Sequence, residues 1–123
     1  MRRRGFTLIE LLVVMAILGT LLSIAVPRYY DSLKRAEEAT LKQNLSLMRE
    51  ALDKHYADTG RYPNTLEELV SRRYLRRIPP DPITGTADTW TTVPPSDPES
   101  GRVYDVRSGA PGNARDGSAF EKW

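Results

Sequence analysis

Gly5-Phe6-Thr7-Leu8-Ile9-Glu10, running into Leu11-Leu12-Val13-Val14-Met15-Ala16-Ile17-Leu18-Gly19 and ending at Pro27, is the stretch that decides the fold. Arg2, Arg3 and Arg4 precede it, and Phe6 to Val26 is a nearly unbroken apolar run of 21 residues. A helix of about 20 such residues spans the ~30 Å of bilayer hydrocarbon. Glu10 interrupts the run five residues in. An acid costs an ordinary anchor about 2.5–3.5 kcal/mol at the bilayer centre and less near its edge. A function for Glu10 has to offset that cost.

Two plain alternatives explain less. A secretory signal peptide also starts basic, and Ser23-Ile24-Ala25 resembles its small-residue cleavage site. Its apolar region, however, is shorter and gains nothing from an acid. A simple single-span anchor fits the length but leaves Glu10 without a role. The leader arginines satisfy the positive-inside rule, which puts the N-terminus in the cytoplasm and the remainder across the membrane.

Beyond Pro27 the pattern turns amphipathic. Tyr29, Leu33, Ala36, Leu41, Leu45, Met48, Leu52 and Tyr56 recur mostly every three or four residues, with Lys34, Arg35, Glu37, Glu38, Lys42, Arg49, Glu50 and Asp53 between them. That spacing predicts a helix from Phe6 to Asp58 whose second half has one apolar face. Thr59-Gly60 ends it, with Gly60 as the residue just past the last turn. Thr65-Leu66-Glu67-Glu68 reads as a capping box opening a short helix with Leu66, Leu69 and Val70 inward. Asp81-Pro82-Ile83-Thr84-Gly85 is loop chemistry. Thr89–Val93 and Arg102–Val106 read as two strands of an antiparallel hairpin. Trp123 is expected to dock on that sheet.

The formal charge of +2 owes everything to the leader. Without Arg2, Arg3 and Arg4, 15 basic side chains face 16 acidic ones, and nothing suggests a nucleic-acid partner. The chain has no cysteine and one histidine, His55, expected to be a solvated or helix-packing residue. Zinc sites and Cys–His chemistry are thereby excluded. No nucleophile elbow, phosphate loop or dinucleotide fingerprint occurs, so no enzyme is expected. Arg72, Arg73, Arg76 and Arg77 surround Tyr74 as a basic cluster. They form either a solvated face or a contact for Glu37, Glu38, Glu50 or Asp53 on a neighbouring copy's helix.

Gly5-Phe6-Thr7-Leu8-Ile9-Glu10 resembles the prepilin signature of the type IV filament superfamily. Thr59-Gly60-Arg61-Tyr62-Pro63, the Asp81-Pro82 loop, Val103-Tyr104-Asp105-Val106, Ser108-Gly109-Ala110 and Trp123 resemble its G-type, major pseudopilins of type II secretion. The resemblance covers nearly the whole chain and implies an α+β, pilin-like fold, a long N-terminal helix packed on a small antiparallel β-sheet head. It implies a leader at 1–5, a transmembrane or filament-core helix at 6–27 and a periplasmic head at 28–123. A prepilin peptidase would cut between Gly5 and Phe6, and Phe6 would be N-methylated. Glu10 would neutralise the Phe6 amine of a neighbouring subunit in the filament core, where neither charge is solvated. Gly19 and Pro27 bracket a segment that either becomes extended on assembly or merely kinks. The implied partners are copies of the same chain, minor pseudopilins, an inner-membrane assembly platform and secreted protein cargo.

The resemblance also brings a cofactor question. G-type heads commonly hold Ca2+ in the C-terminal loop, and calcium wants six to eight oxygens. Asp105 and Asp116 are the carboxylates on offer, with Ser108 and nearby carbonyls as helpers. This chain has Pro111 where the family pattern usually has an acid. The loop therefore either binds calcium or orders through glycine turns, Asp116 capping its own backbone and burial of Trp123. A surface type IV pilin, a minor pilin or a membrane-anchored periplasmic binding module are the competing functions.

Overall fold

The computed structural model describes residues 4–123; Arg2 and Arg3 of the leader lie outside them. A single helix, α1 (Leu8–Thr59), is followed by short elements: α2 (Leu66–Ser71), β1 (Thr91–Val93) and β2 (Asp105–Arg107), with 3-10 turns at Pro98–Ser100 and Phe120–Lys122. The long helix with its small antiparallel sheet is the α+β, pilin-like arrangement expected. The chain divides into two compact units between Arg35 and Ala36.

In the first unit the apolar side chains from Leu8 to Val26 are exposed. Among the described residues α1 is the one helix long and apolar enough to cross a membrane. Its few hydroxyls are satisfied internally. Thr20 donates to the Ala16 carbonyl at 2.8 Å and Ser23 to that of Thr20 at 2.7 Å, so neither needs water. Pro27 sits inside α1 without ending it. Tyr29 and Leu33, expected on the inward face, are exposed, and burial along α1 begins at Leu41.

In the second unit Leu41, Leu45, Met48 and Leu52 keep a 4-3-4 spacing and are essentially fully buried. They form one core with Leu66 and Leu69 of α2, Trp90, Val103, Val106 and Phe120. Deleting a buried leucine removes its transfer energy and leaves a cavity. Leu52→Ala is therefore expected to cost about 2–5 kcal/mol, read as a lowered thermal midpoint. Leu47→Ala on the exposed face should cost about 0.5 kcal/mol or less.

Helix α1 ends as its sequence dictates. Gly60 takes φ 74° and its N–H donates to the Tyr56 carbonyl at 2.8 Å, a left-handed cap that glycine adopts without strain. Thr65 caps α2, its hydroxyl accepting from Glu68 N–H, while the Glu68 carboxylate accepts from the N–H of Asn64 at 2.6 Å. The capping box thus reaches back one residue further than its usual form.

The strands are shorter and later than the sequence suggests. β1 and β2 pair antiparallel with Thr92 opposite Val106. Thr89 and Trp90 precede β1, and the Trp90 indole turns inward and donates to the Pro79 carbonyl at 2.8 Å. Arg102 and Val103 stay outside β2 because both N–H groups donate to the Pro63 carbonyl. The turn at Phe120–Lys122 packs beside β2, and Trp123 lies against the core that includes Val106, its ring meeting Phe120 edge-on and sitting under the Lys42 ammonium of α1, 4.8 Å from the ring centre.

Candidate functional site

Gly5 and Phe6 precede α1, and Phe6 is 87% exposed. Thr7 is the cap. Its carbonyl accepts the first helical bond from Leu11, its hydroxyl accepts from Glu10 N–H at 3.1 Å, and its own N–H donates to the Glu10 carboxylate at 3.3 Å. This is a complete capping box. Thr7-Leu8-Ile9-Glu10 carries the same Thr-x-x-Glu pattern that opens α2, so this cap has its own local signal in the sequence. Glu10 therefore has a local role, placing a negative charge at the positive end of the helix dipole. Capping alone does not require a charge, because glutamine closes the same box. Gly19 and Pro27 both lie within the uninterrupted α1, and Gly19 faces open space.

In the head, the structure gives Asp105 and Asp116 separate partners. Asp105 Oδ1 accepts from Arg49 Nε at 2.9 Å and from the N–H of Val106 at 2.8 Å. Asp116 Oδ1 accepts from the Ser118 hydroxyl at 2.6 Å and the Ser118 N–H at 2.9 Å. Those Ser118 bonds, the hydroxyl first, hold the Asp116 carboxyl below its usual range. The sign follows: this cap supports the fold above the ordinary carboxylate pKa and is lost as the pH falls through the lowered one. Among the described residues no three acids, histidines or cysteines cluster as metal ligands. A guanidinium on Asp105 puts a fixed positive charge where calcium would need a free oxygen. The donor set does not fit a hard cation.

Several residues gained roles that sequence reasoning missed. Asp81, placed in a loop by its neighbours, is fully buried, and its carboxylate accepts from the equally buried Ser108 hydroxyl at 2.6 Å and from Ile83 N–H at 2.8 Å. It ties the 81–86 loop to the segment after β2. His55 is 3% exposed. Its Nδ1 lies 2.7 Å from the Arg61 carbonyl, and its ring packs edge-on against Tyr74. It is a helix-packing residue; the Thr59 hydroxyl lies 3.3 Å from the same Nδ1 but donates to the His55 carbonyl at 2.7 Å. The Tyr74 hydroxyl donates to Asp58 at 2.8 Å, which raises its pKa. Of the basic cluster, Arg72 pairs with Glu68 at 3.3 Å, while Arg73, Arg76 and Arg77 are exposed. Arg73 holds φ 65°.

A helix long and apolar enough to cross a membrane, opened by the Thr7–Glu10 box and joined in sequence to a small α+β head, is a pilin-like arrangement. Residues 1–26 match the family model described as the prokaryotic N-terminal methylation motif. Type II secretion system core protein G of Escherichia coli (strain K12) is 31% identical over 126 residues, covering 89% of this chain and 83% of that protein. The protein of the same name from Pectobacterium carotovorum subsp. carotovorum is 34% identical over 97 residues, covering 79% of this chain but 62% of its own length. Type IV major pilin protein PilA of Myxococcus xanthus (strain DK1622) is 37% identical over 68 residues, 55% of this chain and 31% of that pilin. No solved structure matches. The chain belongs to the type II secretion system core protein G family, the major pseudopilins.

Proposed function

We propose that this chain is the structural, non-enzymatic subunit of a type II secretion pseudopilus. The observation that carries the reading is Glu10, a carboxylate four residues from Phe6 in an otherwise apolar, exposed helix that matches the methylation motif. The precursor enters the inner membrane with its N-terminus cytoplasmic and its head periplasmic, and a prepilin peptidase cuts between Gly5 and Phe6. Cleavage exposes an amine beside the positive end of the α1 dipole, the least favourable place for a cation. In lipid the Thr7–Glu10 box keeps that end satisfied. On assembly the apolar helices leave lipid for a filament core, and Glu10 neutralises the amine of a neighbouring copy. The Gly19–Pro27 segment, weakened by both residues, extends at that stage. Minor pseudopilins, an assembly platform and secreted cargo are the remaining partners, and the energy comes from them.

A surface type IV pilin is the second reading, supported by the match to the Myxococcus pilin. The two share the first step, which an intact mass tests. Coexpression with a prepilin peptidase should yield a membrane-extracted product lacking Met1–Gly5 and carrying one added methyl group. An uncut chain beside a competent peptidase would remove both readings and leave a plain anchor. A cut after Ala25 would make the protein a secreted one.

A further inference from the structure

We propose that Arg49 replaces a metal ion as the cross-link that closes the C-terminal loop, so that this head folds and holds its tail without calcium. The proposal concerns the head alone and stands whether or not the assembly reading does. Arg49 projects from α1 and its guanidinium collects oxygens from two further segments. Nε donates to Asp105 Oδ1 at 2.9 Å, and Nη2 donates to the Val106 carbonyl at 3.0 Å and to an oxygen of Trp123. A carboxylate and main-chain oxygens drawn from separate segments are the ligand types a hard cation gathers. Here a planar fork of N–H donors that is never deprotonated gathers them instead.

Charge bookkeeping agrees. One carboxylate balances one guanidinium, whereas a divalent ion beside an unremovable cation would need more acids than the loop supplies. Of the tail's two acidic side chains, Asp116 is taken up by Ser118, whose hydroxyl in turn accepts from the Trp123 indole at 2.8 Å, and Glu121 lies exposed in the Phe120–Lys122 turn. Two more α1 side chains hold the same tail. Glu38 accepts from the N–H of Arg115 at 2.7 Å, and Lys42 lies over the Trp123 ring. Positions 38, 42 and 49 are spaced by four and seven and so share one helix face. That face does the fastening.

The test uses the full-length chain in detergent micelles, its thermal unfolding followed by circular dichroism in EGTA and in about 1 mM CaCl2, a concentration that fills extracellular calcium modules. The native midpoint should agree between the two within ~1 °C. Arg49→Ala should lower it by ~5 °C or more and speed tryptic cleavage after Arg115, in both buffers. Arg49→Lys, which keeps the charge and stem but loses the fork, should fall on the same side and serves if the alanine variant does not fold. A native midpoint raised several degrees by calcium would overturn the proposal. So would an Arg49→Lys chain that melts and digests like the native one.

Discussion

Chains carrying Glu10→Gln are expected to be cut, methylated and inserted like the native chain yet to yield no filaments, while Thr7→Ala chains assemble. The pair separates the capping seen in the structure from the charge pairing proposed for Glu10. Glutamine preserves the box with Thr7, because its amide oxygen accepts the same N–H, but it carries no charge. Alanine at Thr7 removes the bond at 3.1 Å to Glu10 N–H, about 1 kcal/mol of helix start, and leaves the charge in place. Leaving a buried amine without its carboxylate costs about 3–5 kcal/mol. At 1.4 kcal/mol per tenfold this weakens subunit association by roughly two to three and a half orders of magnitude. The readout is the amount of subunit in the sheared filament fraction against the amount in membranes. Normal filaments from Glu10→Gln would reduce Glu10 to a cap.

The second large effect is expected in the head, where Gly101→Ala should destabilise by at least about 3 kcal/mol. Gly101 has φ 118° and ψ −164°, a region essentially confined to glycine. A Cβ there would meet the Tyr62 carbonyl oxygen at 2.2 Å and its carbon at 2.8 Å. Neither can withdraw easily, because the Tyr62 N–H is bonded to the Ser100 carbonyl at 2.6 Å. Tyr62 also stacks on Tyr56 at 4.6 Å and meets Tyr104 edge-on at 5.3 Å, so displacement would disturb all three rings. Gly112→Ala is the control. Its φ of 90° carries strain, but its Cβ would meet open space, and about 1 kcal/mol is expected. Thermal midpoints of the two variants measure the difference.

Local signals carried most of what was legible. The apolar run, Gly60 as a cap, the Thr65–Glu68 box and the 4-3-4 spacing from Leu41 to Leu52 are short-range patterns, and the structure follows each. The strand boundaries slipped because the Pro63 carbonyl, some 40 residues away in sequence, takes the N–H groups of Arg102 and Val103. Asp105 read as a metal ligand because its partner, Arg49, lies 56 residues earlier, and no spacing rule links them. Asp81 hid for the same reason, since only Ser108, 27 residues on, satisfies it inside the core. Thr7 is the exception, a residue whose role is local and carried by the Thr-x-x-Glu pattern it shares with Thr65.

The claim that Glu10 pairs with another subunit's amine is tested most directly by cross-linking. Filaments grown from a mixture of isotopically heavy and light chains would be treated with an apolar carbodiimide, which joins a carboxylate to an adjacent amine without a spacer. Peptides in which Glu10 of one isotope is bonded to the N-terminal nitrogen of Phe6 of the other are the expected product. Cross-links found only within chains of one isotope, or a Phe6 nitrogen joined to some other acid, would contradict the account.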